Sequence, residues 1–119
     1  MKLLIVEDNA SMRRLIKSIV CDLADEVEEC ADGADVLLAY AKHLPEWVLM
    51  DVNMPRTDGI TASRSILAQY PQAKICMVTE CADAKTRRAA SDAGATGYVL
   101  KDELINIRSV IGRELQKAI

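Results

Sequence analysis

Short apolar runs alternate with longer segments of helical period along the whole chain, and this alternation constrains the fold more than any other feature. A continuous apolar run of four to eight residues is typical of a strand buried on both faces of a parallel sheet. We predict five strands, at 3–6, 26–30, 47–50, 74–78 and 96–100. The second of these is the most polar, which places it near an edge of the sheet.

The segments between the strands repeat their apolar residues at helical spacing, and most of them begin at a capping residue. We predict helices that open at Asn9, at Asp32-Gly33, at Asp58 and at Asp83, and a last one from about Asp102 to Ala118. Gly94 is expected to stop the fourth helix. Strict alternation of strands and helices predicts an α/β fold with a single parallel sheet, right-handed crossovers and helices on both faces.

The chain has 119 residues, which suits one domain over 1–119, and half of them are apolar. A formal charge of -3 argues against direct binding of nucleic acid, which favours a basic surface. We find neither a signal-peptide pattern nor an apolar stretch of the roughly 20 residues that cross a bilayer. The four cysteines lack metal-ligand spacing, so we expect reduced thiols in a cytoplasmic protein.

Chemically complementary side chains follow four of the predicted strands. Glu7 and Asp8 come after the first, Asp51 after the third, Thr79 ends the fourth and Lys101 follows the fifth. Ligands of open parallel sheets bind at the carboxyl ends of the strands, so these residues should share one site. Clustered carboxylates repel one another unless a cation joins them, and oxygen ligands favour Mg²⁺ or Mn²⁺. A carboxylate can also act as a nucleophile toward phosphorus.

Each of these residues taken singly is more often a cap or a solvated loop residue, and the combination carries the inference. Two other classes of protein place phosphate chemistry at such an edge. A haloacid-dehalogenase-like phosphatase needs a second acid two residues after its nucleophile, whereas Asn53 stands there after Asp51. A flavodoxin-like nucleotide or flavin protein needs a phosphate loop after the first strand, where Glu7 and Asp8 repel phosphate.

The sequence resembles the receiver domain of bacterial two-component response regulators over essentially its whole length. The most specific motif is Asp51-x-x-Met54-Pro55-x-x-Asp58-Gly59, which precedes a predicted helix. The other segments that carry the resemblance are 4–9, 77–79 and 94–101. The resemblance implies a sheet in the flavodoxin-like order 2-1-3-4-5.

The resemblance also implies that Asp51 accepts a phosphoryl group from a histidine kinase, a phosphotransfer protein or a small phosphodonor. Mg²⁺ is then the expected cofactor, for which Mn²⁺ can substitute. Asp8 and Asp51 are expected to bind the metal through their side chains and Asn53 through its backbone carbonyl. Glu7 is expected to act through a bound water.

Thr79 and Lys101 are expected to contact the phosphoryl oxygens, and Tyr98 matches the switch aromatic of the family. In that family the hydroxyl residue and the aromatic residue reorient together upon phosphorylation. Phosphorylation adds about -1.5 to -2 charge and three acceptor oxygens, which is enough to reset such a local equilibrium. We expect no turnover of an external substrate beyond the chain's own phosphorylation and dephosphorylation.

The resemblance places the contacts with a downstream partner or output domain on the fourth helix, the fifth strand and the fifth helix. Lys85, Arg87 and Arg88 cluster there, either as a solvated helix face or as part of that surface. A homodimer that forms on phosphorylation is left open. The Lys101-Asp102 ending favours a receiver attached to a helix-turn-helix DNA-binding domain, and a stand-alone regulator remains the alternative.

Three positions depart from the usual pattern of the family. Glu7 replaces the commoner Asp of the acid pair. Asp102 replaces a frequent proline after Lys101, so the sequence predicts either a trans bond or local strain, since a non-proline cis bond costs about 2.5–4 kcal/mol. Glu80 replaces a small residue, and it is expected either to slow entry of anionic phosphodonors or to point into solvent.

Overall fold

One fully parallel five-stranded sheet, in the order β2-β1-β3-β4-β5, organises the computed structural model of the chain. The structure describes residues 1–117, and side chains as far as residue 112. The strands are β1 (Lys2–Val6), β2 (Glu26–Cys30), β3 (Trp47–Met50), β4 (Ile75–Thr79) and β5 (Gly97–Leu100). The predicted fold class and strand order are both confirmed, as is the edge position of β2.

Within residues 1–117, five helices connect or follow the strands, with one 3-10 turn before the second helix and another before the last. The helices are α1 (Ala10–Val20), α2 (Val36–His43), α3 (Gly59–Gln69), α4 (Ala84–Asp92) and α5 (Asn106–Lys117), and the 3-10 turns span Gly33–Asp35 and Lys101–Glu103. No helix within residues 1–117 combines the length and apolar character that a membrane crossing requires.

Side-chain caps fix the starts of three helices, as the sequence predicts. Asn9, Asp58 and Asp83 each accept a hydrogen bond from the backbone N–H three residues later, at 2.9, 2.8 and 2.7 Å. A cap of this kind stabilises a helix by about 1 kcal/mol. Gly94 adopts a φ of 98° after α4, which is the left-handed conformation that ends helices at glycine.

The last helix begins later than predicted. Helix α5 begins at Asn106, whereas the sequence prediction started it at about Asp102. The chain leaves β5 through the 3-10 turn instead, which lets Lys101 stay beside the sheet while Leu104 is buried in the core. Every described peptide bond is trans, so the trans alternative holds at Lys101-Asp102. The predicted end at Ala118 lies outside the described residues. Asp32-Gly33 likewise opens a 3-10 turn, and α2 itself begins at Val36.

The two faces of the sheet support separate hydrophobic cores because successive side chains of a strand point to opposite faces. One core joins residues such as Leu4, Val48 and Met77 to α2, α3 and α4, where Ile66 is fully buried. The other joins Leu3, Ile5, Leu49 and Cys76 to α1 and α5 through Ile16, Val20, Ile107 and Ile111. Burial on both faces explains the continuous apolar runs of the central strands and fixes where their carboxyl ends lie.

Candidate functional site

The carboxyl ends of the four strands β1, β3, β4 and β5 bring together the five residues that the sequence predicted for one site. The register pairs Val6 with Met50 and Met50 with Met77, so β1 and β3 end level, and β4 runs two residues further to Thr79, which pairs with the last residue of β5. A cavity of about 250 Å³ opens at this edge. It is lined by Glu7, Asp8, Asn9, Asp51, Asn53, Glu80 and Lys101. Thr79 lies at the end of β4 and is fully buried.

Asp51 lies at the floor of this cavity with only 4% of its surface exposed. Its own N–H donates to the carbonyl oxygen of Val6 at 2.9 Å, which anchors the residue to the neighbouring strand. One carboxylate oxygen accepts from the N–H of Asn53 at 3.2 Å, and Lys101 Nζ donates to the other at 3.3 Å. The carboxylate is therefore held in one orientation at the floor of the cavity.

Glu7 is the most deeply buried acid of the site, with 1% of its surface exposed. Its Oε2 accepts from the N–H of Asn9 at 3.1 Å, and Lys101 Nζ lies 2.7 Å from Oε1, an ion pair whose orientation departs from that of a directed hydrogen bond. Burial raises the pKa of Glu7 to about 7, with contributions from Asp8 and Asp51, although Lys101 and the Asn9 N–H oppose the increase. The clustered carboxylates therefore carry excess negative charge at a place where little solvent is available to stabilise it.

Lys101 supplies positive charge between two buried carboxylates. Burial alone lowers its pKa, but the contacts with Glu7 and Asp51 outweigh burial and raise the pKa overall. Its side chain is 13% exposed, so the ammonium group is held inside the cavity. Because one ammonium cannot balance the three carboxylates of the cluster, the site keeps a capacity for a further cation.

The donor set fits a divalent cation that prefers oxygen. Glu7, Asp8 and Asp51 each present one carboxylate oxygen, and these three atoms lie within 4.8 Å of one another. Asp8 is exposed and Asp51 faces the cavity, whereas Glu7 is already engaged by Lys101 and the Asn9 N–H. This division suits Mg²⁺, which usually takes one or two protein carboxylates and keeps several waters.

Thr79 and Tyr98 are connected through the backbone of Cys81. The N–H of Cys81 donates to Thr79 Oγ1 at 3.2 Å, and the Tyr98 hydroxyl donates to the carbonyl oxygen of Cys81 at 2.6 Å. The Arg87 guanidinium lies 4.6 Å from the centroid of the Tyr98 ring. Burial raises the pKa of Tyr98. A change at the Thr79 hydroxyl can therefore reach Tyr98 through a single peptide segment.

The sequence did not indicate this role for Cys81 or the stacking of Arg87 on the tyrosine. Arg87 was expected either on a solvated face or on a partner surface. Its contact with the Tyr98 ring is compatible with both interpretations. The contacts of Tyr98 with the Cys81 carbonyl and with Arg87 have no signature in sequence spacing, since each joins residues well separated along the chain.

A parallel sheet in the order 2-1-3-4-5 with a buried acid, a hydroxyl and a lysine at its carboxyl edge defines a receiver-like α/β protein. Comparison with protein families agrees, because the model described as response regulator receiver domain matches residues 3–111. The chain belongs to this family and is a receiver domain of the two-component response-regulator type.

Individual relatives include both short and long proteins. The chain is 38% identical to the chemotaxis protein CheY of Bacillus subtilis, with 84% of each chain covered. It is 34% identical to YhcZ, an uncharacterised transcriptional regulatory protein of the same species, over 96% of this chain and 56% of that protein. The match to the transcriptional regulator DegU of Brevibacillus brevis is 31% identical and covers 44% of it. The chain thus spans about half the length of these transcriptional relatives.

Solved structures show the same fold. A LuxR-family response regulator from Aurantimonas has a TM-score of 0.89 at 25% identity, with 98% of this chain and 85% of that chain covered. The CheY of a CheX–CheY–BeF₃–Mg²⁺ complex from Borrelia burgdorferi also has a TM-score of 0.89, at 20% identity, over 97% and 89% of the two chains. The latter likeness concerns the fold alone.

Proposed function

We propose that Asp51 is the phosphoryl acceptor of this receiver domain and that phosphorylation depends on Mg²⁺. The observation that carries the proposal is the placement of Asp51, a buried carboxylate fixed by Asn53 and Lys101 at the floor of a cavity that reaches solvent. A carboxylate oxygen held in this way can attack phosphorus and form an aspartyl phosphate.

The metal is assigned to the side chains of Asp8 and Asp51 and to the backbone carbonyl of Asn53, with Glu7 acting through a bound water. When bound, Mg²⁺ supplies positive charge that offsets the charge developing on the transferred phosphoryl oxygens. Lys101 supplies a second positive charge and the Thr79 hydroxyl a hydrogen bond. Mn²⁺ is expected to substitute, since it prefers the same oxygen ligands.

The output of phosphorylation is proposed to pass through Thr79 and Tyr98. A phosphoryl oxygen that accepts from the Thr79 O–H draws this side chain toward Asp51 and so moves Oγ1 away from the Cys81 N–H, which donates to it at 3.2 Å. Cys81 also accepts the hydrogen bond of Tyr98, so the β4–α4 loop and the tyrosine respond together. The surface formed by α4, β5 and α5 is then the proposed contact with a partner or output domain.

The expected phosphodonor is a histidine kinase, a phosphotransfer protein or a small phosphodonor, in the cytoplasm. A stand-alone regulator, like a CheY that this chain covers to 84%, and a receiver joined to a DNA-binding output domain both suit the family. We expect no direct contact of this domain with nucleic acid and no turnover of an external substrate. A phosphorylation-dependent homodimer is a further proposed assembly.

Intact mass spectrometry after incubation with a small phosphodonor and Mg²⁺ tests the proposal. Wild type is expected to gain one phosphoryl group that is labile to mild base, and Asp51→Asn is expected to gain none. Asp102→Asn is the matched control, because it changes an exposed acid close in sequence to Lys101 and should leave labelling intact. An unmodified wild type, under conditions that label a known receiver, would show the proposal to be wrong.

A further inference from the structure

Arg13 occupies a position where charge alone disfavours an arginine. It is the fourth residue of α1, and a cation near a helix N-terminus is opposed by the helix dipole. Its side chain is nevertheless only 21% exposed, so the guanidinium is drawn inward against the preceding loop. The contacts at that loop must offset the unfavourable position.

Those contacts join the acid-bearing loop to the edge of the sheet. Arg13 Nη1 donates to the carbonyl oxygen of Glu7 at 2.8 Å and approaches that of Asp8 at 3.4 Å. Arg13 Nε lies 3.4 Å from Glu29 Oε1 on β2, and the other oxygen of Glu29 lies 3.7 Å from Lys17 Nζ. One planar guanidinium thus connects α1, the loop after β1 and strand β2.

The two carbonyls have a particular geometric meaning. The peptide groups of Glu7 and Asp8 flank the α-carbon of Asp8, so holding both carbonyls restricts φ and ψ at that residue. The direction of the Asp8 Cα–Cβ bond is restricted with them. Asp8 is exposed, and packing therefore does little to orient its carboxylate toward Asp51 and Glu7.

We propose that Arg13 is a positioning residue for the cation site, which aims the Asp8 carboxylate by holding the two carbonyls on either side of it. The inference rests on the proposed Mg²⁺ site and adds a residue that lines no part of the cavity. In metalloproteins, replacing a residue that orients a metal ligand commonly weakens metal binding by about 10–100-fold. A measurable effect of Arg13 on Mg²⁺ affinity is therefore expected.

Charge and positioning predict opposite results for Arg13. If the residue acted only through its charge, its removal from the neighbourhood of three acids would tighten Mg²⁺ binding. If it positions Asp8, its removal loosens the loop and weakens binding. Arg14 gives the charge baseline, because it is exposed and donates instead to Ser11 Oγ at 3.2 Å.

The test is a Mg²⁺ titration of the full chain followed by NMR, using the backbone amides of Asn9 and Asn53. We expect Arg13→Ala to raise the Kd about tenfold. Arg14→Ala should leave the Kd unchanged or slightly lowered, and Asp8→Asn gives the reference for loss of a ligand. Urea unfolding in EDTA accompanies each titration, so that a loss of stability is measured separately from a loss of affinity.

A merely structural role predicts that Arg13→Ala loses stability in EDTA while its Kd stays within about twofold of wild type, and this result overturns the inference. If wild type itself shows no Mg²⁺ shifts, the proposed metal site and this inference are overturned together. Should Arg13→Ala fail to fold, Glu29→Gln removes only the distant half of the contact. It is expected to weaken Mg²⁺ binding more than Glu28→Gln, which removes the same charge from a residue that faces His43; equal effects contradict the positioning role.

Discussion

Lys101 shows most directly how a single residue holds together the charges of the candidate site. It contacts Glu7 and Asp51, two acids that are almost fully buried, at 2.7 and 3.3 Å. Burying like charges together disfavours the folded state, and the raised pKa of Glu7 is a sign of that conflict. Functional sites commonly contain such locally unfavourable arrangements. Charge that the fold leaves unbalanced is then available to bind a ligand.

Glu80 is the residue whose effect on the entry of phosphodonors into the site can be predicted. It is exposed and lines the cavity beside Asp51, and it also lines an adjoining cavity of about 220 Å³. A carboxylate at this entrance repels an anionic phosphodonor by about 0.2–1 kcal/mol, the range of exposed charge pairs. We expect Glu80→Gln to speed phosphorylation by small donors by up to about fivefold, measured as the rate of mass gain.

Charge and bulk can be separated at this entrance. Glu80→Ala removes both, so a larger rate than that of Glu80→Gln assigns the difference to bulk. Asp92→Asn removes the same charge at the far end of α4 and is expected to leave the rate unchanged. High salt should reduce the gain of Glu80→Gln, because solvent-exposed charges are screened. An unchanged rate for Glu80→Ala contradicts the predicted effect.

At the scale of the elements, the start of α3 is pressed against the end of β3. A Cβ placed on Gly59 meets the carbonyl oxygen of Asp51 at 2.0 Å and Met50 Cγ at 2.8 Å. The N–H of Gly59 also donates to the Val52 carbonyl at 2.8 Å. The glycine of the Asp58-Gly59 motif is therefore required by the close approach of two backbones, and the start of the helix supports Asp51, the proposed phosphoryl acceptor.

Gly59→Ala is expected to lower the free energy of unfolding by about 2 kcal/mol, because the backbone of Asp51 must move to admit a methyl group. Urea denaturation in EDTA measures the change. Gly112→Ala in α5 is the matched control, since a Cβ there meets nothing within 4 Å. It should instead stabilise the protein by up to about 1 kcal/mol through helix propensity. If Gly59→Ala lowered the free energy of unfolding by no more than about 0.3 kcal/mol, the result would contradict the close approach.

At the scale of the whole molecule, one sheet carries both cores. Cys30 lies in the core that faces α2, α3 and α4, and Cys76 lies in the core that faces α1 and α5. Strands β1 and β3 contribute side chains to both. Loss of the sheet removes support from the two faces at once, so unfolding in one cooperative step is expected.

Thiol labelling tests this cooperativity. Burial raises the pKa of Cys30, and it raises that of Cys76 to about 12, so the reactive thiolate is scarce at pH 8 in the folded state and becomes available on unfolding. Pulsed labelling with iodoacetamide along a urea series, followed by peptide mapping, should modify both at the same urea concentration. Exposed Cys21 is the internal control, labelled even without urea. Labelling of Cys30 well before Cys76 would mean that the faces unfold separately.

The amino-acid sequence by itself determined the succession of strands and helices along the chain, the starts of three helices and the residues at the strand ends. These features depend on local properties, namely apolar runs, capping side chains and spacing along the chain. Parallel pairing then guarantees that strand ends meet, and for this reason the acids, Thr79 and Lys101 could be predicted as neighbours.

Tertiary structure alone decided which of these neighbours touch and what supports them. The late start of α5, the Tyr98 contact with Cys81 and the reach of Arg13 to two carbonyls all join elements distant in sequence. Such contacts form or are lost with shifts of a few tenths of an ångström between packed elements, and no residue pattern encodes positions that closely. The sequence therefore determined where the site lies, and packing decided how its charges are held.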